Sequence, residues 1–243
     1  MTGPTAAGAH RPLVISFSGL DGSGKSTQIN HVRDQLTAMG YRVKVLAFWD
    51  NVVVATKYRE GFVHKVYKSE QGIGAPDKPV NRRDKNVRKW YLNLARHGLY
   101  FADAIHLRKV IAQQTASNAH ILIMDRYIYD ELANLPLANP ASRAFARWVG
   151  RSFVPQPDLA LLLDADPEAA HARKPEYPVD FMKDCRSWYH RLADLLGNIT
   201  IVPPLPLDQA KRTVMDHVRE LLGFAGIRRR ELELRQSAND AVA

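Results

Sequence analysis

The chain has a single cysteine, Cys185, in 243 residues. An internal disulfide is therefore excluded, and a cytoplasmic location fits a chain that does without one. No apolar run approaches the ~18 residues that a membrane-spanning helix needs, so no membrane partner is expected. The first residues, MTGPTAAGAHRP, hold no apolar segment of signal-peptide length, and 1–12 read as a flexible tail. Nine histidines are scattered without metal-ligand spacing, which argues against a structural metal site. Acidic residues are the scarcer sign of charge. Against 25 of them stand 34 basic ones, a formal net charge of +9. Such an excess suits anionic ligands, nucleotides first. The basic runs Asn81–Lys89 and Arg228–Arg230 read as solvated surface rather than as a nucleic-acid site.

What is present is a core and its punctuation. Hydrophobic residues make up 46% of the chain. Short apolar runs at Leu13–Phe17, Arg42–Phe48, His120–Met124, Leu159–Leu163 and Ile199–Val202 read as buried strands. Between them fall helical patterns: Ser26–Met39, closed by Gly40; a proline-free stretch from Asn86 to about Ser117; and Leu207–Leu222. Tyr91, Leu94, Ala95, Leu99, Ala102, Ile105 and Val110 mark the expected apolar face of the second of these. The segment Trp49–Asp84 carries Gly72, Gly74, Pro76 and Pro79, so its latter part reads as loop. Strands alternating with helices predict one α/β domain over 13–222, a parallel sheet covered on both faces, with 223–243 as a polar C-terminal extension. In such a sheet Gly19, Trp49, Asp125 and Asp164, each just after a strand, share one edge, where ligands bind.

SGLDGSGKST, Ser18–Thr27, leaves the first strand at that edge. Gly19, Gly24, Lys25 and Ser26 match G-x-x-x-x-G-K-[ST]. Glycine allows backbone angles closed to other residues, so consecutive N–H groups can turn inward around an anion. The following helix aims its free N–H groups and dipole at the same place. Lys25 adds a full charge for the outer phosphates, and Ser26 a hydroxyl for Mg²⁺. Gly19, Leu20, Asp21, Gly22, Ser23, Gly24, Lys25, Ser26 and Thr27 are thus the expected phosphate-binding residues, with ATP and Mg²⁺ as ligands. Asp125, after the third strand, is the second expected metal residue, and Arg126 can grip a further phosphate in forked fashion.

SGLDGSGKSTQ, the DRY of Asp125–Tyr127 and DADPEAAHARK after the fourth strand together resemble the thymidylate kinase family, over about Leu13 to Leu222. The resemblance implies a P-loop NTPase fold, three α/β/α layers around a five-stranded parallel sheet with a short helical lid. It implies transfer of the γ-phosphoryl group of ATP to dTMP, with Mg²⁺. Asp21 then faces the acceptor, Tyr100, three residues before Asp103, stacks on its base, and Arg126 holds its phosphate. Arg173 in the lid joins Lys25 and Arg126 as catalytic cations, since Gly22 and Ser23 leave the cradle without an arginine. In the lid, Asp166 caps a helix whose first position is Pro167, and Pro175 and Pro178 impose an extended exit.

The chain departs from the family's pattern on the acceptor side. Ala104 follows Asp103 where the family usually has arginine. FWDNVVV (Phe48–Val54), IYDELANL (Ile128–Leu135) and KPEYPVDF (Lys174–Phe181) replace other usual runs. Trp49, Asp50, Tyr127, Tyr129 and Asp130 are the residues expected to line a reshaped pocket. The alternatives are a kinase of the same build with a different phosphorylated or hydroxylated acceptor, and a nucleotide-dependent binding protein without kinase activity. The resemblance also implies a homodimer through the Asn86–Ser117 face.

Overall fold

The apolar runs, too short for helices, become five strands: β1 Leu13–Gly19, β2 Val43–Ala47, β3 Ile121–Asp125, β4 Leu159–Leu163 and β5 Thr200–Val202. The computed structural model describes residues 11–54, 90–115 and 117–240. The run Asn81–Lys89 and most of the segment up to Asp84 lie outside the described residues, as does nearly all of the N-terminal tail. The strands form one sheet in the order β2-β3-β1-β4-β5, parallel throughout. Their carboxyl ends therefore meet along one edge, with β1 in the centre. Phe17 and Ala47 both stand level with Asp125, and Gly19 with Leu163.

Side chains alternate across a strand, so each apolar run serves two layers. Ile15, Phe17, Ile121, Ile123, Leu161 and Leu163 pack on one face with Ile29, Val32 and Leu36 of α1 (Lys25–Ala38). Val214, Met215 and Val218 of the C-terminal helix complete that layer. Val14, Leu122, Met124 and Ala160 face the other way. They pack against α3 (Trp90–Thr115), α4 (Ile128–Leu132) and α7 (Val179–Leu196). The remaining described helices are α2 (Phe48–Asn51), α5 (Pro140–Trp148) continued by a π turn at Val149–Phe153, α6 (Pro167–Arg173) and α8 (Leu207–Asp240).

The elements differ from the sequence reading in detail. β2 stops at Ala47, because Phe48 is buried as the first residue of α2. The C-terminal helix runs unbroken from Leu207 to Asp240, so the polar extension after Leu222 continues it. On α3 the expected apolar face is right at Val110 but rotated over most of its length. Leu94, Leu99 and Ile105 are exposed, whereas Tyr100, Asp103, Ala104, Leu107, Val110, Ile111 and Gln114 are buried. The buried stripe follows the i, i+3, i+4, i+7 spacing of a helix. It was disguised because two of its members are polar. Asp103 earns its place by accepting Val54 N at 2.8 Å, which ties the chain after β2 to the helix.

Candidate functional site

β1 ends in the glycine-rich turn because the backbone there has no room for side chains. Gly19 has φ +140°, and a Cβ on it would lie 2.5 Å from the Leu163 carbonyl oxygen of β4. Gly22 has φ +80°, and its Cβ would lie 2.4 Å from the Ala170 carbonyl of α6. The turn thus nests between the sheet edge and the lid helix. α1 starts immediately after it, with Gly24 as N-cap in the left-handed region. Its free N–H groups face the turn, and Ser26 and Thr27 are exposed in its first turn.

Lys25 folds back across this concavity. Its Nζ donates to the carbonyls of Gly19 at 2.9 Å and Leu20 at 2.7 Å. Burial lowers its pKa to about 8, helped by the charge of Arg126 and opposed by Asp21, Asp130 and Asp125. The protein therefore holds a desolvated cation whose charged form a phosphate would favour. Asp125, at the tip of β3, is shifted the opposite way. Burial raises its pKa, while Lys25 and Arg126 pull against the shift. Among the described residues no hydrogen bond reaches its carboxylate. A partly buried carboxylate without a donor, at the strand edge beside the turn that α1 leaves, suits a hard cation that keeps most of its own water. Ser26 and Asp125 are the residues that fit Mg²⁺.

Arg126 follows with φ +68°, the one non-glycine residue at positive φ among those described. Its N–H donates to Phe17 O at 2.9 Å, which holds the strained turn against β1. Its guanidinium is gripped from both sides. Nη2 meets Asp21 Oδ1 at 2.5 Å, and Nη1 meets Asp130 Oδ1 at 3.0 Å. The acidic and phenolic groups around it outweigh the burial penalty, so Arg126 is permanently charged. Asp130 also accepts Ser18 Oγ at 2.6 Å, Tyr127 N at 3.1 Å and the Tyr189 hydroxyl at 2.7 Å.

The lid reads locally as the sequence implies. Asp166 accepts Ala169 N at 2.9 Å and caps α6, with Pro167 at its first position. Arg173, in the last turn of α6, donates from Nε to Gly22 O at 2.8 Å. The lid arginine and the cradle are thus in direct contact. α7 is anchored to the same edge. Arg186 forks onto Asp164 at 2.7 and 2.6 Å, and His190 lies 3.3 Å from the same carboxylate.

Lys25, Asp21, Asp125, Arg126, Asp130 and Arg173 therefore converge. Trp49 and Asp50 are exposed on α2. Tyr100 lies in the core, and Asp103 is fully buried on Val54 N. Tyr127 is a correction: its ring is fully buried against Tyr129, and its hydroxyl donates to Pro155 O, so it lines no pocket. The residue that follows a strained arginine is turned under the sheet edge as the first cap of α4. Sequence reasoning missed the cleft that does open beside Asp21 and Arg126. Tyr177, Phe181, Met182, Trp188 and Tyr189, from the lid exit and α7, form its wall. Their spacing within α7 is helical, but nothing local shows that this face returns to the cradle.

No family model matches the chain. Among curated proteins, "Probable thymidylate kinase" of Archaeoglobus fulgidus is 24% identical over 219 residues, 87% of this chain and 97% of its own length. The protein of the same name from Sulfolobus acidocaldarius is 31% identical over 165 residues, 66% of this chain and 68% of its own. A thymidylate kinase of Bifidobacterium longum subsp. infantis is 29% identical over 180 residues, 72% of this chain and 68% of its own. The solved structure of the thymidylate kinase from Candida albicans has a TM-score of 0.58 and 21% identity, over 86% of this chain and 92% of that one; it shares the fold. With the glycine-rich cradle, the arginine after β3 and the lid arginine in contact with the cradle, these relatives make the chain a member of the thymidylate kinase family.

Proposed function

We propose that the protein transfers the γ-phosphoryl group of ATP to dTMP, giving ADP and dTDP. The observation that carries this reading is the convergence of three cations on one turn: Lys25 on the carbonyls of Gly19 and Leu20, Arg126 on Asp21, and Arg173 on Gly22 O. The backbone N–H groups of the turn and of α1 receive the donor phosphates, and Lys25 moves from the carbonyls to the outer phosphates. Arg126 holds the acceptor phosphate in line. An acceptor phosphate oxygen forms the new bond to the γ-phosphorus as the bridging bond to the β-phosphate breaks, and the electron pair leaves with ADP. Arg173 lies where charge builds on the transferred group. Ser26 and Asp125 would hold Mg²⁺, which when bound would offset charge on the donor phosphates.

The test is ADP formation from ATP and Mg²⁺ with a panel of nucleoside monophosphates, nucleosides and sugar phosphates. Turnover with dTMP well above every other acceptor supports the proposal, and none with dTMP overturns it. A second reading keeps the chemistry and changes the acceptor. It is favoured by Ala104, fully buried where base recognition was expected, and by the two carboxylates already on Arg126. Turnover restricted to another member of the panel would establish it. We infer in addition that two copies meet through the exposed apolar stripe of α3.

A further inference from the structure

We propose that Asp130 and the Tyr189 hydroxyl are positioning groups for Arg126, acting on the acceptor phosphate through its guanidinium. The inference rests on the reading of Arg126 as the acceptor-phosphate arginine. Asp130 is almost fully buried, and both of its oxygens are saturated by pairs of donors. Oδ2 takes Ser18 Oγ and Tyr127 N. Oδ1 takes Arg126 Nη1 and the Tyr189 hydroxyl. No lone pair is left for a ligand, so toward the acceptor the carboxylate acts through Arg126.

The two partners of Arg126 are unequal. Asp21 is 30% exposed and sits on the cradle, whereas Asp130 is 5% exposed. An arriving phosphate can replace Asp21 on Nη2, because water and the cradle can resolvate that carboxylate. It cannot replace Asp130, which would be left buried and unpaired. Arg126 therefore keeps one edge on Asp130 and turns the other to the acceptor. That division matters because the backbone at φ +68° is fixed by Phe17 O, which leaves the aim of the guanidinium to its side-chain partners. Tyr189 completes the device from α7, the helix that follows the lid. Its hydroxyl lies 2.7 Å from Asp130 and 3.5 Å from both Arg126 Nη1 and Gly19 O. The position of α7 is thereby communicated to the arginine through one carboxylate.

The experiment compares Arg126→Ala, Asp130→Asn, Tyr189→Phe and the double variant Asp130→Asn/Tyr189→Phe. KM for dTMP, KM for ATP, kcat and the thermal midpoint are measured for each. Asn at 130 sets an amide donor against two existing donors, and the expected rise in KM for dTMP is about 10- to 100-fold. Tyr189→Phe removes one hydroxyl and keeps the ring, and should raise the same KM about three- to tenfold. KM for ATP should stay within about twofold in both. The double variant should match Asp130→Asn alone, because Tyr189 acts through Asp130.

A dTMP KM unchanged in Tyr189→Phe, or effects that multiply in the double variant, overturns the proposal. So does a loss spread over both substrates with a lowered thermal midpoint, the mark of a structural role. Tyr189→Phe decides the matter by itself if Asp130→Asn does not fold. If Arg126→Ala leaves the dTMP KM unchanged, the reading of Arg126 has failed, and this inference with it. If Arg126→Ala acts and the other variants do not, only the positioning role has failed.

Discussion

Among the site residues Lys25 carries the least settled charge, and that has measurable consequences. Its ammonium titrates at about 8 in the free cradle, well below its ordinary value. Above pH 8 the empty protein therefore loses a proton that the phosphate complex holds. Binding must restore it, so affinity for ATP falls from about pH 8 upward, approaching tenfold per pH unit. Calorimetric titrations at pH 7.5, 8.5 and 9.5 read this directly, and an affinity flat across the range contradicts the lowered ammonium. Lys25→Ala binds more weakly but without that dependence. Its turnover should fall on the order of 10- to 10⁴-fold, the effect of deleting one or two charge-assisted hydrogen bonds. Gly22 tests the other side of the cradle. Gly22→Ala drives a methyl toward the Ala170 carbonyl, 2.4 Å away, in a φ that side chains avoid. The expected result is a displaced lid, with kcat reduced more than the thermal midpoint suggests.

At the level of elements, the lid and α7 are held by contacts that only the fold creates. Asp164 illustrates this. Burial would raise its pKa, but the Arg186 fork and His190 outweigh burial and hold it below the usual carboxylate range. A depressed carboxylate stabilises the fold above its unfolded pKa and ceases to do so as pH falls through its folded value. Asp164→Asn should thus lower stability by about 1–2 kcal/mol at pH 7, a figure reduced for the partly exposed guanidinium. The gap to the wild type should narrow below about pH 4, as read by urea titration at the two pH values. Elements of this kind set the limit of sequence reading. The strands were legible because each is a local apolar run, and the cradle because its chemistry lies within ten residues. The lid cap was legible for the same reason. α3 was misread because Asp103 and Gln114 occupy its buried stripe, and a polar residue in a core looks like surface until its partner is known. Tyr189 carried no signal at all, since its meeting with Asp130, 59 residues away, depends on how α7 crosses the sheet edge.

For the whole molecule, the exposed face of α3 is informative. If the expected apolar face is not the buried one, its residues still need an account. Leu94 is 64% exposed and Ile105 38%, three helical turns apart on one stripe, with Gly98 between them. Beside them Trp148 of α5, 46% exposed, stacks on Phe101 at 5.6 Å, and Phe153 packs at 5.0 Å from the same ring. Exposed apolar side chains along one helix of a kinase with net charge +9 are unusual surface, because charge keeps such proteins apart in solution. A twofold contact of α3 on α3 would bury it, and Gly98 would let the helices approach closely. The expected state is therefore a dimer whose dissociation follows dilution in sedimentation velocity. Leu94→Glu and Ile105→Glu place like charges across the twofold axis and should give a monomer. Because the stripe faces away from the buried side of α3, the cradle should survive, and the monomer should still bind ATP with unchanged affinity. A wild type that sediments as a monomer at every concentration rules the contact out. A monomeric variant that has also lost ATP binding would show that the stripe supports the fold of the kinase and not its assembly.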